Sequence, residues 1–144
     1  MPSNQLIPYS EQESIIYFEL LKELRPHLNF ENFKILISEA QKSGGYQLLG
    51  LKDSQNQLVA LMGYRIVTDF VHGRHLYIDD LVTSQKIRSQ GYGAILLKHA
   101  EDLAGQNGCN NLRLCTGIEN ERGKSFYDKN SWNLRAVVYK KKLS

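Results

Sequence analysis

Across the middle of the chain the hydrophobic pattern changes period once, and a glycine-bearing loop sits at the change. Tyr46 to Leu51, Leu58 to Val67 and His75 to Thr83 are strand-like runs, separated by the turn-rich Asp53-Ser54-Gln55-Asn56-Gln57 and by His72-Gly73-Arg74. From Tyr92 to Asn107 the apolar residues Ile95, Leu96, Leu97, Ala100 and Leu103 recur at helical spacing, and Gly108 ends the run. Between the third strand and the helix lies Arg88-Ser89-Gln90-Gly91-Tyr92-Gly93-Ala94. An antiparallel meander that hands over to a helix through such a loop leaves few folds open. Leu112, Leu114 and Thr116 read as a short strand after the helix, which the right-handed crossover rule sets parallel to the strand before it.

The loop has the chemistry of an anion cradle. Gly91 and Gly93 remove side chains where a backbone must approach a ligand, and the helix behind them offers unpaired N–H groups and the positive end of its dipole. Phosphate is the natural occupant. A P-loop would need Gly-Lys-Ser/Thr, but Gly93 is followed by Ala94-Ile95. A dinucleotide fingerprint needs three glycines early in a strand–helix–strand unit, and here there are two, placed after a meander.

The rest of the chain is ordinary in composition. Helices are expected from Glu11 to Leu24, closed by Pro26, and from Phe30 to Lys42, ending at Gly44-Gly45. Asn120 to Lys129 reads as a short helix and Trp132 to Lys141 as a last strand, exposed and suited to a homodimer. With 144 residues the chain is expected to form a single domain, 1–144, burying roughly two-thirds of its unfolded surface. A hydrophobic share of 42% and a net charge of +3 point to neither a membrane nor a nucleic-acid partner. The start, Met1-Pro2-Ser3-Asn4-Gln5, has none of the pattern of a signal peptide, so the cytoplasm is the expected compartment. Cys109 and Cys115 read as reduced thiols, and no metal site is expected.

Leu81-Val82-Thr83 followed by Arg88-x-x-Gly91-x-Gly93-Ala94, with Asn120-x-x-Gly123-x-x-Phe126-Tyr127-x-Lys129 further on, resembles the GNAT superfamily of acyl-CoA-dependent N-acetyltransferases. The resemblance covers about Tyr46 to Lys141. It implies an α+β (mixed α/β) fold in which a central, mostly antiparallel sheet is flanked by helices and carries a strand–loop–helix site for the pyrophosphate of CoA. The activity it implies is transfer of an acetyl group from acetyl-CoA, as cosubstrate, to a primary amine by direct attack in a ternary complex. The alternative is a non-catalytic module that binds or senses acyl-CoA.

Roles follow residue by residue from that resemblance. Arg88, Ser89, Gln90, Gly91, Tyr92, Gly93 and Ala94 would hold the pyrophosphate, and Leu81, Val82 and Thr83 would pair with the pantetheine arm. Val82 would offer its N–H to the thioester carbonyl, and Tyr127 would protonate the leaving thiolate. Asn120 would either bond the pantetheine arm or cap its helix. Asp79 stands where several relatives carry a base. Alternation points Asp79 and Asp80 to opposite faces, and paired carboxylates inside an apolar strand require solvent, partners or a function. Tyr77, Asp80 and Tyr64 are further candidates for contact with the acceptor. His72 and His75 read as exposed loop residues.

Overall fold

A computed structural model describes residues 4–87 and 90–144; Arg88 and Ser89 of the expected cradle lie outside the described residues. The chain divides into two compact units, Met1–Arg113 and Leu114–Ser144. The fold is mixed α/β, with a five-stranded, mostly antiparallel sheet. Its strands are β1 (Gln5–Pro8), β2 (Gln47–Lys52), β3 (Leu58–Asp69), β4 (Gly73–Thr83) and β5 (Asn111–Leu114), neighbours in that order. The helices are α1 (Ser14–Leu24), α2 (Phe30–Gly44), α3 (Tyr92–Gln106) and α4 (Glu121–Lys129). No helix among the described residues is long and apolar enough to cross a membrane.

The apolar stripes read from the sequence are the faces that pack. Tyr17, Phe18, Leu20 and Leu21 of α1 and Phe33 and Ile37 of α2 are buried against Leu48, Leu61 and Val82 of the sheet. Each fully buried Leu, Ile or Phe contributes about 1.5–3 kcal/mol. Residues of the other strand parity, Ala60, Met62, Leu76 and Ile78, are equally buried, as are Leu96, Leu97 and Ala100 of α3. The sheet of the first unit is thus a middle layer between α1 with α2 and α3.

Caps decide where the helices stop. Pro26 disfavours helical backbone at Arg25, whose φ of −121° and ψ of 70° end α1. Asn29 caps α2 by accepting from Asn32 N–H at 2.8 Å, and Gly45, with φ of 67°, ends it in the left-handed region. The chain then turns back so that Tyr46 N–H reaches Ala40 O at 3.2 Å. Arg25 and Tyr46 emerge from these two helix ends.

Two expectations change. β1 adds an edge strand that pairs antiparallel with β2; it is only four residues long and ends at Pro8, so no alternation announces it. Tyr17 OH donates to Ile7 O at 3.1 Å, tying β1 to α1. Gly50 makes this possible, because a methyl group there would overlap the Tyr17 ring. The last strand, by contrast, is not formed: residues 132–144 carry no regular secondary structure among the described residues. Alternation shows only that a segment suits a strand, and a strand also needs a neighbouring edge to bond.

Candidate functional site

The centre of the first unit is a break in alternation on β4. Gly63 faces Asp80 across the β3–β4 ladder and Tyr64 faces Ile78, so Asp79 is an extra residue on β4, a β-bulge. The expectation of opposite faces for Asp79 and Asp80 is corrected here. The bulge resets the alternation, and both carboxylates line one cavity of about 500 Å³ under α1 and α2.

Each carboxylate has its own arginine. Asp80 Oδ1 accepts from Arg25 Nε at 3.0 Å, and its Oδ2 accepts from Tyr46 OH at 2.7 Å. Arg25 Nη2 also donates to Asp79 O at 2.9 Å, so the end of α1 clasps the bulge through both its backbone and its side chain. Asp79 is held by a two-pronged contact, Arg65 Nε to Oδ2 at 2.8 Å and Nη2 to Oδ1 at 2.9 Å. The guanidinium of Arg65 is shifted toward even firmer protonation, chiefly by its hydrogen bond to Asp79. Burial, reinforced by the Asp80 charge, pushes the Tyr46 phenol well above its ordinary value, so it stays a neutral donor.

Gly63 makes room for this arrangement. A methyl group there would overlap the Tyr46 phenol. Gly63→Ala is therefore expected to cost about 1–3 kcal/mol as an overpacking change. Urea unfolding should show it, and Tyr46→Phe should relieve little of it, because the ring itself is in the way.

The other candidates fall in definite places. Arg65 sits 5.3 Å from the centroid of the Tyr77 ring and Arg113 4.9 Å from it, so Tyr77 shares the face of Asp79 between two guanidiniums. Tyr64, of the opposite parity to Gly63 and Arg65, faces away from the cavity, and burial raises its phenol pKa. Arg25, Tyr46 and Arg65 were not candidates from the sequence, although two buried acids side by side demand cationic partners.

His75 is not the exposed loop residue expected but is fully buried. Its Nδ1 lies 2.9 Å from Gly73 O and its Nε2 lies 3.1 Å from Arg113 Nε; arginine only donates, so Nδ1 carries the proton. Asp69, His72 and His75 bring three metal-ligand types of atom within 4.8 Å of one another. The cation already beside them is Arg113, 3.9 Å from Asp69 Oδ2.

Farther along β4, Leu81, Val82 and Thr83 pair with Met62, Leu61 and Ala60 on one side. On the other side β5 has only four residues and meets β4 at its opposite end, where Asn110 N–H donates to Arg74 O at 3.2 Å. The outer backbone edge of Leu81–Thr83 therefore has no strand neighbour among the described residues. After the η turn Gln85–Ile87 the chain reaches Gln90, which is exposed, and Gly91, which starts α3 with φ of 81°. The first N–H groups of α3, at Tyr92, Gly93 and Ala94, have no acceptor within the helix. A Cβ added to Gly91 would meet nothing within 4 Å among the described residues.

In the second unit Asn120 takes the capping role. Its side chain accepts from Gly123 N–H at 3.0 Å and donates to Thr116 Oγ1 at 2.8 Å. A methyl group at Gly123 would overlap the Asn120 side chain, which is why glycine suits this position. Tyr127 packs edge-on against Phe126 and Trp132, with ring centroids 5.2 and 5.9 Å apart, and burial raises its phenol pKa above 10.

Known proteins are similar to this chain in sequence and in fold. The family model described as the acetyltransferase (GNAT) family matches residues 10–132. The chain is 29% identical over 133 residues to the uncharacterized N-acetyltransferase YhdJ of Bacillus subtilis (strain 168), covering 92% of this chain and 93% of that protein. A solved aminoglycoside N-acetyltransferase AAC(6')-Iy in complex with CoA superposes with a TM-score of 0.82 at 14% identity, covering 97% of this chain and 95% of that one. A transcriptional regulator from Bacillus halodurans C-125 superposes with a TM-score of 0.85 at 16% identity, covering 97% and 99%. At such identities the two structures speak for the fold.

Proposed function

The chain belongs to the GNAT acetyltransferase family and is an acyltransferase, and from that premise we propose that it moves an acetyl group from acetyl-CoA to a primary amine by direct attack in a ternary complex. The observation that carries the reading is the sequel of an open strand edge at Leu81–Thr83, a left-handed glycine at 91 and the unpaired N–H groups of α3. A pantetheine-like arm can add to such an edge, and a pyrophosphate suits such a helix start. The CoA bound by a structural neighbour of the same fold supports the same donor. Acetyl-CoA supplies the activated thioester.

This chain's residues then divide the work. The Val82 N–H stabilises charge developing on the thioester oxygen as the amine nitrogen bonds to the carbonyl carbon. The C–S bond breaks, and Tyr127 gives its proton to the sulfur. Asp79 takes the proton that the ammonium must lose before attack, and the second proton nitrogen gives up as the amide forms replaces the one Tyr127 gave, through solvent. Arg65 occupies one lone pair on each Asp79 oxygen, and each oxygen keeps another. Asn120 holds the start of α4, and Gln90, Tyr92, Gly93 and Ala94, with Arg88 and Ser89, complete the anion site.

Free thiol measured after mixing acetyl-CoA with a panel of primary amines tests the reading. Amine-dependent thiol release is expected; CoA binding with no release from any amine would leave a binding module. Asp79→Asn is expected to lower kcat/KM about a hundred-fold. Undiminished kcat/KM in the variant assigns the base elsewhere.

A further inference from the structure

The cavity beside Asp79 and Asp80 is not the anionic pocket its two acids suggest. Its wall carries two carboxylates and two guanidiniums, which cancel, and its remaining titratable side chains are His27 and Tyr46. Histidine is never negative, and burial keeps the Tyr46 phenol neutral. All four carboxylate oxygens already accept a hydrogen bond from Arg25, Arg65 or Tyr46.

Exposure sharpens the point. The side chains of Asp80 and Asp79 are 15% and 24% exposed, those of their partners Arg25 and Arg65 41% and 36%. The guanidiniums, more than the acids, are what a molecule entering the cavity meets. Their bonds to the acids use the Nε and Nη2 edges, so among the described residues the Nη1 groups remain for a further acceptor. The rest of the wall is largely apolar and includes Leu21, Phe33, Ile37 and Leu48, with Leu36 half exposed.

Resting on the acetyltransferase reading, we propose that the acceptor is an amine with an apolar body and an anionic group, such as a carboxylate, docked on Arg25 or Arg65, and not a polycation. The amine then lies toward Val82, two residues beyond Asp80 on the same face, and the anionic end toward the bulge, so the proton the ammonium loses reaches Asp79 through solvent in the cavity. Polycationic amines would bring added positive charge to a cavity with no free negative charge to receive it.

Three probes with one body separate the possibilities: 6-aminohexanoate, hexylamine and hexane-1,6-diamine. Thiol release should rank them in that order, with kcat/KM at least about ten-fold higher for the carboxylate than for the diamine, as expected for a charge-assisted hydrogen bond. Arg25→Ala or Arg65→Ala should reduce the preference for 6-aminohexanoate over hexylamine to about two-fold, read as the ratio of the two kcat/KM values within each variant, whatever its absolute rate. Equal or better use of the diamine, or of kanamycin, by the native enzyme overturns the proposal. Titration of each probe in the presence of CoA, followed by protein NMR, reads the same preference without turnover. Preferential binding of 6-aminohexanoate with no thiol release keeps the charge assignment and removes the transferase reading. Turnover with no preference in either measurement does the reverse.

Discussion

Replacing Tyr127 by phenylalanine is expected to lower kcat by about ten-fold to a thousand-fold while changing CoA affinity by no more than about two-fold. The change deletes one oxygen and keeps the ring, whose edge-on contacts with Phe126 and Trp132 phenylalanine can make equally well. Folding should be almost unaffected. Burial lifts the phenol pKa above 10, so the group is protonated throughout the neutral range and can donate to a thiolate as it forms. The sign of the pH effect follows: any loss of kcat from ionisation of Tyr127 occurs above pH 10, and a fall near pH 8 has another origin. Native kcat in the variant, with single-turnover data showing that acyl transfer limits the rate, would remove Tyr127 from the mechanism.

The elements were legible where a segment carries its own signal and obscure where two segments must meet. Helices α1 to α3 declare themselves through stripes such as Phe33 and Ile37, because burying one face of a helix imposes a 3.6-residue period. Strand β1 makes no such declaration, since four residues ending in proline take their shape from β2. The failed last strand is the converse: Val137, Val138 and Tyr139 suit a ladder, yet propensity alone does not provide an edge.

The site follows the same division. The glycine turn before α3 is local and could be read directly as a close approach of backbone to a ligand, whereas the left-handed backbone at Gly91 is seen only in the fold. The bulge at Asp79 could not, because alternation assumes an unbroken ladder and the break depends on the register with β3. Nor could the partners of the two acids, which arrive from the end of α1, the start of β2 and the middle of β3. Two of them stand beside residues that stop helices, Arg25 before Pro26 and Tyr46 after Gly45. A search for cations to neutralise Asp79 and Asp80 would have brought Arg25 and Arg65 forward.

Gly91→Val is expected to weaken CoA binding by about a hundred-fold or more, measured by calorimetry with free CoA. Two costs combine. A β-branched residue at φ of 81° is strained by roughly 1–2 kcal/mol, and its side chain would keep an anion from the N–H groups at the start of α3, losing charge-assisted hydrogen bonds of comparable size. Gly91→Asn separates the two, because asparagine tolerates left-handed backbone yet still places a side chain over the turn. Since the Cβ of that side chain meets no atom within 4 Å among the described residues, any affinity lost by Gly91→Asn with unchanged thermal stability comes from crowding the ligand. Loss in both variants is the expected result. Loss in the valine variant alone would make Gly91 a residue needed for the turn's shape, and native affinity in both would move the anion site away from α3.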